Sequence, residues 1–363
     1  MKAYINNYES MTCVGNTQEL MDSIYAKRTG VEIDVSYMPN APVGLGKMKN
    51  NNFFQNLEEV VSSVLEQSNL ENFNDTLLIV GSSVGGMQES EQRYFKDKNY
   101  KSIDPSRHAI SVMAESLQTK FDFVDARSIS TACTSSANAF LLAKRLIKVG
   151  AYKNILVVGA DALCYTTVCG FYALGVLSSK ACTPFNEGRE GMNVAEAVAA
   201  ILVQDEKFAD SIELAGVGAS SDAYHMTNPD PEAKGAMASM SNALKDASLD
   251  SADIDYINAH GTGTLANDKV EGLAVEKLFD GVYVSSTKAI TGHTLGAAAA
   301  IEAIISCEII KRGLIPAQAN LTDAENKILN IPRESVAQNV KYVLSNSFAF
   351  GGNNASLIFG GLN

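Results

Sequence analysis

At 363 residues and roughly 150 residues per domain, the chain has room for two domains or one large duplicated one. A content of 46% hydrophobic and 19% charged residues is that of a globular α/β protein and excludes disorder, collagen and coiled coil. The 29 basic against 41 acidic residues leave a net charge of −12 with no basic run, which argues against nucleic acid as a partner. Residues 1–14 carry Lys2 and Glu9 and no apolar core of a secretory signal, so a cytoplasmic protein is expected. The longest wholly apolar run, 197–203, falls far short of the roughly 18 residues of a membrane span, so no membrane association is expected.

In chain order, strand-like runs bounded by Gly, Ser or Asp fall at 76–80, 155–158, 254–258, 282–285, 342–345 and 356–359. Helix-like stretches occupy 136–149, ended by Gly150, and 295–311, ended by Gly313 and then Pro316. Segments 40–56 and 88–106 are polar and read as loop-rich. The alternation predicts an α/β protein with buried, largely parallel strands. Segments 128–159 and 282–314 also echo one another: strand, turn with a reactive residue, helix begun by small residues, basic turn.

The reactive residues in those turns are Cys133 and His293. Cys133 precedes the 136–149 helix, and the unpaired amides and dipole at a helix N-terminus favour thiolate. Known cysteines so placed shift from about 8.5 into roughly the 3.5 to 7.5 range. His260 follows the 254–258 strand, so two of the four histidines project from strand ends, where α/β proteins place active sites. His108 and His225 are expected to be satisfied core or surface residues. A metal held by Cys133, His260 and His293 is the weaker reading, because no close-spaced ligand pair anchors it. The six cysteines (Cys13, Cys133, Cys164, Cys169, Cys182 and Cys307) form no CxxC and no disulfide framework.

Two glycine-rich strings complete the inventory. Gly81-Ser82-Ser83-Val84-Gly85-Gly86 lacks the Gly-Lys-Ser/Thr of a phosphate loop and reads as a tight turn after a strand. Phe348-Ala349-Phe350-Gly351-Gly352-Asn353-Asn354 reads either as a hairpin turn or as a loop whose amides face a ligand oxygen.

Together these strings resemble the β-ketoacyl-acyl-carrier-protein synthases, the elongating condensing enzymes of the thiolase superfamily. The resemblance runs through Val14-Gly15-Asn16-Thr17, Thr131-Ala132-Cys133-Thr134-Ser135, Pro184-Phe185-Asn186, Arg189-Glu190-Gly191 and segments 258–268, 286–302 and 346–354. It implies a thiolase-like, duplicated five-layered α-β-α-β-α core. Residues 1–210 would form the half with the nucleophile, and residues 211–363 the half with His260, Lys288, His293 and the Phe-Gly-Gly loop. Thiolases pair their nucleophile with a histidine and a second cysteine, and initiating synthases use Cys-His-Asn, so Cys-His-His resembles decarboxylative elongation.

The same resemblance assigns Cys133 as acyl acceptor, His260 and His293 as the pair around a malonyl thioester, and Lys288 as a nearby charge. The backbone N–H groups of Cys133 and Phe350 would form the oxyanion hole, with Phe350 also gating the acyl pocket. Thr262 and Thr264 would hold the phosphopantetheine arm, with Glu302 and Asp268 in support. No metal or redox cofactor is implied. An acyl carrier protein is the implied partner, within a homodimer or a heterodimer with a second synthase-like chain.

Departures from the family pattern are Asn193, Ala195, Ala197, Leu265, Ala349 and a shorter chain, with Gly175 where a basic carrier-docking residue is expected. Lys47, Lys49 and Lys101 are the docking candidates instead. These departures suggest a specialised fatty acid, aryl-polyene or polyketide pathway. The alternatives are a non-catalytic chain-length-factor-like subunit, which usually lacks the nucleophile, and a thiolase, which would need a second cysteine where Asn353 and Asn354 stand.

Overall fold

Every residue of the strand Ala197–Gln204 is buried, because it has strand neighbours on both edges and helices packed on both faces. The apolar run in the sequence is therefore a sheet interior. The computed structural model describes residues 1–362. Its main sheet runs, in spatial order, Tyr283–Ser285, Tyr256–Asn258, Tyr342–Phe348, Asn353–Gly361, Ile212–Ser221, Tyr4–Thr12, Ala197–Gln204, Asn154–Asp161, Thr76–Gly81 and Asp125–Ile129.

The order is a duplication. From the centre outward, each half places its first strand, then its last, fourth, second and third in chain order. Each half is antiparallel across its inner three strands and parallel across its outer three. The expectation of largely parallel strands is thus corrected, since parallel pairing is confined to the ends served by helical crossovers. The halves join where Tyr4 and Ile5 pair with Glu213 and Ile212.

Helices Ser135–Lys148 and Ala298–Arg312 touch each other and strands of both halves, which makes them the central layer. Phe140, Ile147, Ile301, Ile304 and Phe359 belong to the core that they share. Outer layers are built by Phe53–Glu66 and Val112–Phe121 on one side and by Lys234–Ala247 and Leu265–Leu278 on the other. Five layers result, α-β-α-β-α, as the resemblance implied.

The loop-rich reading of 88–106 is also corrected. Met87–Asp97 is a helix, followed by the 3-10 turn Tyr100–Ser102 and the short helix Pro105–His108. Only Ser90 of the first helix is buried, so its sequence carries charge where a core helix carries apolar residues. Within 40–56 the chain forms the strand Val43–Gly46, and Asn52 caps the next helix by accepting the Gln55 N–H at 3.2 Å.

Candidate active site

Cys133 sits one residue before Thr134, the residue that caps the helix Ser135–Lys148. The turn is strained: Ala132 has φ +54°, a conformation that a side chain disfavours. Local hydrogen bonds hold it. Ser135 donates from N and from Oγ to the Ala132 carbonyl at 3.0 and 2.6 Å, while Ser135 Oγ accepts the Thr131 N–H at 3.0 Å. The result is a sulfur presented at the floor of a cleft of about 290 Å³.

His260 and His293 line the same cleft, ring centroids 5.1 Å apart and planes at 86°. The His260 N–H donates to Glu271 Oε1 at 2.8 Å and the Gly261 N–H to Oε2 at 2.8 Å. His293 is stitched in by its own backbone, its N–H donating to the Asn193 carbonyl at 2.7 Å and its carbonyl accepting the Ala195 N–H at 2.9 Å. The Leu295 N–H donates to His293 Nδ1 at 3.2 Å, which leaves Nε2 to carry the proton. Burial first, and the nearby Lys288 cation next, hold both imidazoles well below the usual histidine value, so both are neutral at pH 7.

The same burial corrects the expectation of a ready thiolate. Desolvation, with a smaller push from the Asp161 charge, raises the Cys133 thiol to about 12, against the opposing pull of Lys288 and of the Cys133 and Phe350 backbone N–H groups. Burial outweighs the helix end at this position. The resting group is therefore a thiol, with two neutral imidazoles in the same cleft.

Lys288 forms a buried ion pair with Glu302, and burial raises Glu302 to about 7. Among the described residues, Glu302 Oε2 and His260 Nδ1 have no hydrogen-bond partner. Asp268 accepts the Phe185 and Gly263 N–H groups at 2.8 and 3.1 Å and faces Arg189 Nε at 3.4 Å. Arg189 in turn donates to the Thr264 and Leu265 carbonyls at 3.2 and 2.9 Å, which explains its place in the site motif. Thr262 and Thr264 share a hydrogen bond of 2.9 Å on the cleft wall.

At the rim, Phe350 packs against Phe171 with centroids 5.8 Å apart. The segment 348–354 is a hairpin turn that also forms part of the cleft wall. His225 is exposed as expected, yet lines the cleft, while His108 is exposed and bonds Ser90 Oγ at 3.0 Å. Lys47, Lys49 and Lys101 do not line the cleft; Lys47 pairs with Asp34, and Lys47 and Lys49 border a separate cavity beside Cys13. Among the described residues the cleft lining contains no Lys or Arg.

Two of the departures acquire reasons. Asn193 accepts the Cys182 N–H at 2.6 Å and donates to the Lys180 carbonyl at 2.9 Å, bracing the turn beneath His293. The Ala195 methyl lies against Gly46 and Gly292, each of which lacks the Cβ that would meet it. Glu271 was missed in the sequence; its signal is a second acid three positions after Asp268 on one helix face.

Residues 16–209 match the β-ketoacyl synthase N-terminal domain family, and residues 212–322 match the corresponding C-terminal domain family. A 3-oxoacyl-[acyl-carrier-protein] synthase 2 of Coxiella burnetii is 35% identical over 84% of this chain and 81% of its own length. One from Rhizobium meliloti is 35% identical over 78% of this chain and 73% of its own length. Among solved structures, a chain of the complex between the ketosynthase ApeO and its chain length factor ApeC from Xenorhabdus doucetiae superposes with a TM-score of 0.91 at 30% identity, covering 99% of this chain and 98% of that one. A β-ketoacyl synthase from Burkholderia phymatum gives 0.89 at 25% identity with full coverage of both chains, 100% each. With a nucleophile turn and a paired-histidine cleft already in the duplicated fold, these matches leave one conclusion: the chain belongs to the β-ketoacyl synthase family.

Proposed function

We propose that the protein condenses a Cys133-bound acyl group with malonyl-acyl-carrier protein to give a β-ketoacyl thioester. The observation that carries the reading is the meeting of Cys133, His260 and His293 in one cleft that Phe350 also lines. In the first half-reaction the thiol gives its proton to a neutral imidazole and attacks the carrier thioester. The Cys133 and Phe350 N–H groups stabilise the oxyanion, the carbon–sulfur bond to the carrier breaks, and the departing carrier thiolate takes the proton.

In the second half-reaction the bond between the malonyl α-carbon and its carboxylate breaks. CO₂ leaves and the electron pair forms an enolate, whose oxygen accepts the His293 Nε2–H and an N–H of His260. The enolate carbon attacks the acyl carbonyl, the Cys133 thiolate departs, and one proton from solvent restores the thiol. The scheme uses no metal and no redox cofactor.

For partners, we read an acyl carrier protein and a second synthase-like chain. The likeness to a chain of the ApeO–ApeC complex supports the latter, and the departures from the family pattern favour a specialised fatty acid, aryl-polyene or polyketide pathway. Asp125–Ile129 also pairs on one side only among the described residues, leaving a strand edge open to another chain. Retention of Cys133 argues against a non-catalytic subunit.

The test is intact-protein mass spectrometry after incubation with a panel of acyl-carrier thioesters. An acyl mass gain is expected on the wild type and not on Cys133→Ala. A gain on both proteins sinks the nucleophile assignment, and a gain on neither, even with a second synthase-like chain added, sinks the reading.

A further inference from the structure

Asp161 ends the strand Asn154–Asp161 with no exposed surface, and it takes no part in the scheme above. Its donors are neutral and come from two places. Oδ1 accepts Ser82 Oγ at 2.6 Å and the Ser83 and Val84 N–H groups at 2.9 and 3.0 Å, and Oδ2 accepts Ser83 N–H at 2.9 Å and Gly296 N–H at 2.6 Å.

Each oxygen leads to one of the two turns that the duplication relates. On the Oδ1 side, the Ser82 carbonyl accepts Ser135 Oγ at 3.3 Å, and that hydroxyl holds the Ala132 carbonyl at 2.6 Å, next to Cys133. On the Oδ2 side, Gly296 follows Leu295, whose N–H fixes His293 Nδ1 as an acceptor. Ala132 and Leu295 both adopt φ values that disfavour side chains, +54° and +53°. Gly296 has no room for a side chain, since a Cβ there would lie 2.7 Å from Asp161 Oδ2 and from Ser83 N.

We propose that Asp161 is a positioning residue that ties the Cys133 turn to the His293 turn and fixes the Nε2–H form of His293 through the Leu295–Gly296 amides. This use of His293 rests on the function proposed above. A carboxylate is suited to the place because both oxygens only accept. An amide of the same shape must turn its NH₂ toward the donors of one oxygen; Ser83 N–H is shared by both, and Ser82 Oγ and Val84 N–H on one side outnumber Gly296 N–H on the other, so in Asp161→Asn the NH₂ faces the Gly296 N–H and drives it off.

The test compares the two half-reactions and the His293 ring itself. In Asp161→Asn, Cys133 acylation is expected to stay within about threefold of wild type while malonyl-carrier decarboxylation falls by about 100-fold, the scale of a misplaced catalytic group. ¹⁵N NMR of histidine-labelled protein, with His293 assigned by His293→Ala, is expected to show the wild-type pattern of bare Nδ1 and protonated Nε2 lost or mixed in the variant. Gly296→Ala presses on the same contact from the opposite side and is expected to give the same split, which covers the case in which Asp161→Asn does not fold. Equal loss of both half-reactions, or an unchanged His293 spectrum in a folded variant, overturns the proposal. A wild type that decarboxylates nothing would instead count against the proposed function, and the NMR comparison would still decide the role of Asp161.

Discussion

Glu271 grips the backbone of His260 and of Gly261 with one oxygen each, at 2.8 Å, so the turn that aims the His260 ring into the cleft hangs on a carboxylate eleven residues farther along. Asn346 Nδ2 adds a third bond at 3.1 Å from the strand that leads to Phe350. Helix, histidine turn and gate strand therefore meet at one side chain.

Burial raises the Glu271 carboxyl to about 7 despite these donors. A carboxyl raised above its unfolded value contributes stability that is full below about 4.5 and is lost as pH rises through about 7. The difference is on the order of 3 kcal/mol. Glu271→Gln removes the titration, and the fall in melting temperature between acid and alkaline buffers is expected to become shallower. Glu271→Ala leaves two backbone donors unpaired and is expected to destabilise by about 2 kcal/mol and to lower turnover. Thermal melts across pH check both, and a Gln variant with the wild-type slope contradicts the titration.

Lys288 acts on four groups at once. Its cation lowers Cys133, His260, His293 and Glu302, in each case against or alongside the effect of burial. Lys288→Met keeps the length and removes the charge. Both histidines then rise toward their ordinary value, so the acid limb of malonyl decarboxylation is expected to move to higher pH. The thiol rises further, and Cys133 alkylation by iodoacetamide at fixed pH is expected to slow by about tenfold, one unit of thiol shift. An acid limb that stays in place, or moves down, shows that Lys288 does not reach the histidines electrically.

The site was legible in the sequence where a reactive residue stands in a turn between a strand and a helix, as Cys133 and His293 do. The duplication was legible for the same reason. What stayed hidden depends on residues far apart in the chain: Asp161 meets Gly296 across 135 positions, and Asn354 meets Asp222 across 132. The antiparallel inner strands were hidden too, because Ala197–Gln204 is buried on both faces and loses the alternation that marks a strand. The thiolate expectation failed because the helix end is visible in sequence and the burial that opposes it is not.

Gly175 lies at the cleft rim with φ +68°, and nothing stands within 4 Å of where its Cβ would project. The space suits a long cation that an acidic carrier protein would meet. Gly175→Arg is expected to lower KM for the carrier substrate and leave kcat near wild type, at a stability cost of about 1 kcal/mol for the left-handed backbone. Steady-state kinetics at low and high salt check this. A KM that does not fall at low salt places carrier docking elsewhere on the surface.

Phe350 closes the rim through bonds that converge on Asp222. Asn354 Nδ2 donates to Asp222 Oδ1 at 2.6 Å, the Asp222 N–H donates to the Gly352 carbonyl at 2.9 Å, and the Asp230 N–H reaches Asp222 Oδ2 at 3.2 Å. The Gly351 N–H adds a bond of 2.7 Å to the Met226 carbonyl, so the hairpin turn and the 222–230 segment are latched together. Asp222→Ala removes the Asn354 bond that crosses the latch, worth about 1 kcal/mol, enough to raise the open fraction roughly fivefold. Bulky aromatic maleimides are then expected to reach Cys133 faster, while iodoacetamide, small enough to pass the closed rim, gains little. An equal gain for both reagents would mean that the variant loosens the whole cleft and that Asp222 is not the latch of Phe350.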